Sequence, residues 1–204
     1  MIRALKLAAI VAALALGLTA RAASKEMQPA TGPLPTPSAE QAVIEFMRPS
    51  SMGGAIKCAI FDITDGEPVF LGILAPKDKI VIPCPAGKRT YMITGENADF
   101  METDIVAGKT YRVIAIARMG AWKARFSLIP LKKNPGEAEW ALDAKKVPEW
   151  IKICKPLVPA ATAAKWYTSN RPSILKKKDA YMPKWVEMAE SLKQYRRLTA
   201  EDGQ

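Results

Sequence analysis

The chain has 204 residues, 30 lysines and arginines against 20 aspartates and glutamates, and no histidine. The absence of histidine excludes Ser-His-Asp and Cys-His mechanisms and histidine-ligated zinc, because imidazole is the usual neutral-pH base and the commonest metal ligand. The formal charge of +10 points to anionic partners.

Residues 1–22 read as a secretory signal peptide. Arg3 and Lys6 give a positive start, Leu7 to Leu18 is an unbroken run of apolar residues and Gly, and Ala20-Arg21-Ala22 offers a small-residue cleavage site before Ala23. The apolar run is shorter than the roughly 20 residues a helix needs to cross a bilayer. The first cysteine is Cys58, so no lipid-modifiable thiol stands at the cleavage site. The expected location is periplasmic or secreted, with no transmembrane segment after cleavage.

Residues 23–40 hold Pro29, Pro33, Pro35 and Pro37 and read as an extended linker. From Gln41 to Leu131 the pattern is β. Strands are predicted at 42–47, 55–63, 69–74, 79–83, 89–94, 100–105, 111–118 and 124–129, separated by turns such as Thr64-Asp65-Gly66-Glu67. Gly87 and Gly108 each stand in a Gly-Lys turn before a strand carrying Tyr and are expected at positive φ. Short, regularly spaced strands argue an antiparallel sandwich or barrel. The expected fold is an antiparallel β-sandwich of about eight strands.

Residues 132–204 form a basic helical extension, α+β when joined to the first part. Helices are expected at 137–146, 148–154, 160–170, 172–181 and 183–198, four of them beginning at or just after a proline. Trp185, Met188, Ala189, Leu192 and Tyr195 form a helical stripe. Charge is uneven: residues 23–130 carry 12 basic and 11 acidic groups, and residues 131–204 carry 15 and 9.

Arg48-Pro49-Ser-Ser-Met-Gly53, Pro85-Ala-Gly-Lys88, Val106-Ala-Gly-Lys-Thr-Tyr111 and Met119-Gly-Ala-Trp122 follow one another in an order that resembles a bacterial family of exported β-sandwich domains of unassigned function. The resemblance covers residues 41–131 and implies a sandwich and an exported location. It implies no catalytic residue, and its members are often lipid-anchored, unlike this chain.

Three cysteines, Cys58, Cys84 and Cys154, form no metal motif. In an oxidising compartment two could pair, and Cys58–Cys84 is the pairing that stays within the β region. The acid pairs Asp62/Asp65 and Glu102/Asp104 offer little as cation sites, since calcium wants more oxygens. Ser173 and Lys176 have the spacing of a Ser-x-x-Lys pair, without its companion motifs. The strongest surface feature is basic and aromatic: Arg171, Lys176, Lys177, Lys178, Arg196 and Arg197 lie among Trp166, Tyr167, Tyr181, Trp185 and Tyr195. Outside the cytoplasm such a surface suits an envelope polyanion or an acidic protein rather than nucleic acid. The expected function is a non-enzymatic binding or envelope-interaction module without cofactor or metal. The alternatives are a small periplasmic hydrolase using carboxylates or Ser173 and Lys176, and a structural subunit of an envelope assembly.

Overall fold

In the computed structural model, residues 24–54, 56–118 and 125–204 are described. The expected signal peptide, residues 1–22, and the Met119–Trp122 segment lie outside the described residues.

The alternating segments become strands where expected. They are preceded by β1 (Met27–Pro29). Then follow β2 (Gln41–Arg48), β3 (Cys58–Asp62), β4 (Val69–Leu74), β5 (Asp78–Pro85) and β6 (Gly87–Thr94). Next come β7 (Ala98–Ile105), β8 (Thr110–Arg118) and β9 (Arg125–Pro130). The C-terminal part contributes α1 (Val147–Ile153), β10 (Lys155–Pro159), α2 (Ala163–Val186), α3 (Glu190–Tyr195) and β11 (Arg197–Thr199). Gly87 and Gly108 have φ of +111° and +79°, the positive region expected of them.

Among the described residues eleven strands, not eight, form two mixed open sheets rather than one antiparallel set. One sheet runs β1-β10-β5-β2-β8-β9 and the other β11-β7-β6-β3-β4. The pairs β2–β8, β10–β5 and β11–β7 are parallel. Each joins strands far apart in sequence, which removes the geometric demand for a hairpin and permits a parallel pairing. The three unexpected strands are short and carry little alternation. Two of them hold proline, which is tolerated at strand ends and sheet edges.

β1 anchors part of the Pro-rich segment on β10, with Met27 buried in the core. β10 and β11 insert the C-terminal part into both sheets.

Between the sheets, Phe46 of β2 meets Tyr91 of β6 edge-on at 5.2 Å. On the other face of the five-stranded sheet lies α2. Its aromatic stripe places Trp166 on Phe70, Tyr167 on Phe61, and both Tyr181 and Trp185 on Phe100. A second cluster covers the six-stranded sheet, where Met47, Ile114 and Ile129 pack with Trp140, Val147 and Cys154.

α2 is one helix of 24 residues running through Pro172 and Pro183, where separate helices were expected. An internal proline costs about 3 kcal/mol. A buried Trp or Tyr contributes on the same scale, and the stripe supplies four partly or fully buried aromatics. The predicted stripe past Trp185 does not hold as one face: Leu192 is exposed, and Tyr195 packs on the second cluster. Of the expected helix at 137–146 only a single 3-10 turn forms, at Ala138–Trp140.

Candidate functional site

A cleft of about 420 Å³ opens where α2 passes the β6–β7 turn of the five-stranded sheet and faces the ends of β8 and β9. Its floor is apolar, from Ala98, Phe126 and Ala180. Its walls are strongly cationic, from Arg118, Arg125, Lys176, Lys177 and Lys184, with Glu96 the single acidic lining residue. Asn97, Ser173 and Tyr181 complete it.

One wall is built on Asp99, a β7 carboxylate only 3% exposed. Arg118 donates to its Oδ2 at 2.8 Å, Tyr181 Oη donates to Oδ1 at 2.5 Å, and Ser127 and Arg196 close on it as well. These contacts tie β7, β8, β9, α2 and the segment before β11 to one point. Burial, followed by the Asp99 charge, pushes the Tyr181 phenol up to about 12. The phenol therefore stays a donor.

Arg118 and Arg125 are directly paired across the β8–β9 register. Like charges in that position repel. Asp99 balances Arg118, whereas Arg125 has no ion pair or hydrogen bond among the described residues. Lys176 and Lys184 are likewise without such partners among the described residues. Lys184 follows Tyr181 by one helical step of three residues, so it stands near the Arg118–Asp99 contact. Across the cleft, Lys177 Nζ donates to the Gly95 carbonyl at 2.7 Å. Burial lowers the pKa of Lys177, and the Glu96 charge opposes that shift.

The six basic residues predicted from the sequence are not one free surface. Arg171 pairs with Glu67, Lys178 donates to the Gly66 carbonyl, Arg196 to Asp99, and Arg197 to Glu102 and Glu190. Four of the six thus fasten the C-terminal part to the β sheets. Lys176 and Lys177 reach the cleft. The Arg118 and Arg125 wall and the Asp99 hub escaped sequence reading because they join residues far apart in the chain. The available signal was two arginines flanking a predicted hairpin loop.

The cysteine expectation is corrected. Cys58, Cys84 and Cys154 are all buried free thiols. Cys58 lies on β3 of one sheet and contacts the Leu74 carbonyl, while Cys84 lies on β5 of the other and contacts Tyr91 Oη at 3.0 Å. Two opposed sheets with hydrogen-bonded thiols leave no bridge. Burial pushes the Cys58 thiol up to about 12.

Ser173 and Lys176 both line the cleft, but Ser173 has no hydrogen bond to either neighbouring lysine among the described residues. Glu102 is engaged by Arg197 instead of sharing a site with Asp104. No helix among the described residues is long and apolar enough to cross a membrane. In comparisons with known proteins, the chain matches no family model and no curated relative.

Proposed function

We propose that this chain is an exported β-sandwich binding module, periplasmic or secreted, that captures an anionic envelope component in the cleft beside α2. The observation that carries the reading is the group of cations Arg125, Lys176 and Lys184, which have no side-chain partner among the described residues and stand over an apolar floor. Unpaired like charges repel one another and weaken the fold. A bound anion relieves that repulsion, and arginine and lysine donors make charge-assisted bonds to it. The cleft falls within the usual size range of small-ligand sites.

Two measurements test the reading. The mature product should begin at Ala23, read by N-terminal sequencing of the exported protein. Retention on isolated envelope fractions should fall as salt rises and should be lost in the double variant Arg125→Glu, Lys184→Glu. Unchanged retention in that variant refutes the cleft assignment.

The hydrolase alternative keeps one observation in its favour, the presence of Ser173 beside Lys176 and Lys177 on the cleft wall. It requires Ser173→Ala to abolish turnover of an ester or amide probe. The binding reading requires no turnover to begin with.

A further inference from the structure

The two ends of the cleft differ in chemistry. At one end stands Arg118, held by the buried Asp99, with Arg125 opposite it in the β8–β9 register and Lys184 one helical step from Tyr181. Arg196 also closes on Asp99, so four cations share this end with one carboxylate, an excess of about three. At the other end, Lys177 is satisfied by the Gly95 carbonyl and faces Glu96. That end also carries Lys176, and with Glu96, Asn97 and Ser173 it presents mixed donors and acceptors and an excess of only about one charge. Ala98, Ala180 and Phe126 lie between.

An excess of about three positive charges suits a phosphate monoester, which carries roughly −1.5 to −2 at neutral pH, better than a single carboxylate. Arginine forks suit phosphate oxygens. The mixed polar end suits hydroxyl groups, which both donate and accept. A volume of about 420 Å³ holds a one- or two-ring molecule and excludes a long polymer.

We propose that the cleft takes a phosphate monoester carried on a sugar-sized polyol, with the phosphate against Arg118, Arg125 and Lys184 and the hydroxyls against Glu96, Asn97 and Ser173. This rests on the anion-binding assignment above. Isothermal titration of the full mature chain at low salt would use glucose 6-phosphate, glucose, inorganic phosphate and heparin as probes. Glucose 6-phosphate should bind at least about tenfold more tightly than glucose, which lacks the charge-assisted phosphate contacts, and at least about tenfold more tightly than inorganic phosphate, which lacks the hydroxyl hydrogen bonds. Arg125→Glu and Lys184→Glu should each remove about tenfold or more, while Lys152→Glu on the remote α1 leaves binding unchanged. Asn97→Ala with Ser173→Ala should weaken glucose 6-phosphate and leave inorganic phosphate unaffected.

Phosphatidylcholine vesicles doped with phosphatidylinositol 4-phosphate separate the sources. Co-sedimentation assigns the polyol phosphate to a lipid headgroup, and binding of the free sugar phosphate alone assigns a soluble ligand; both support the proposal. Inorganic phosphate binding as tightly as glucose 6-phosphate overturns the polyol half. Heparin binding through Arg125 and Lys184 with no response to glucose 6-phosphate overturns the inference and keeps the anion-binding reading. Silence toward every anion overturns both.

Discussion

Two cation-rich regions lie side by side on this protein and use their charges in opposite ways. Around Asp99, two arginines, a tyrosine and a serine converge on one buried carboxylate, and among the described residues no buried side-chain polar atom lacks a partner. A few residues away, Arg125, Lys176 and Lys184 have no partner among the described residues. The same residue types thus serve as internal fasteners in one place and as an unsatisfied surface in the other. Counting basic residues along the chain cannot separate the two roles, because the difference is set by which acceptors the fold brings near.

The largest effect should come from breaking the hub. Asp99→Ala strands Arg118 and Arg196 without their carboxylate, and removing one partner of a buried pair costs about 3–5 kcal/mol. Urea unfolding should show that loss, and a loss below about 1 kcal/mol would mean the hub is not a fastener. Tyr181→Phe removes one hydrogen bond to the same carboxylate and should cost about 1.5–3 kcal/mol.

The same tyrosine predicts an alkaline limb. Its phenol is held at about 12 when folded, against 10.0 ordinarily. As pH rises, the unfolded chain loses this proton first, so the folded state binds more protons in that window. Stability then falls between about pH 10 and 12. Tyr181→Phe should flatten that decline in urea titrations at successive pH values. An unchanged slope would place the phenol in solvent.

Charge reversal on the other side of the comparison should barely touch the fold. Arg125→Glu is expected to shift stability by no more than about 0.5 kcal/mol, and relief of the repulsion with Arg118 can make the change favourable. A large loss would show that Arg125 is structural after all. The smallest effect concerns the thiols. Native protein should resist alkylation, all three cysteines should label after unfolding without reductant, and adding reductant should leave the melting temperature unchanged. Labelling of one thiol would restore the Cys58–Cys84 bridge.

The central strands were legible because their cause is local. Val69–Leu74 was read with its observed bounds, and 111–118 was read within one residue of Thr110–Arg118. Alternation and turn residues carry that information. β1, β10 and β11 were not legible, since each is a few residues long and is defined by a partner far away in sequence. α2 was misread in the opposite sense. Proline suggested breaks at Pro172 and Pro183, but the spacing of Trp166, Tyr167, Ile174, Tyr181 and Trp185 along one face kept the helix whole. Of the site, only the helix wall could be seen in advance. The β8–β9 wall needed the register that sets Arg118 opposite Arg125.

The placement of β10 and β11 has a consequence for how the chain matures. Until residue 155 and beyond are available, β5 lacks its outer neighbour and β1 has nothing to pair with. Until Arg197–Thr199 arrive, β7 stands at an open edge that other chains can join. Arg196, one of the two guanidinium groups on Asp99, arrives at the same late moment. The latch of the structure therefore comes late in the chain, so a polypeptide still being made stays pliable and sticky, and closes only once Arg196 and Arg197–Thr199 have emerged.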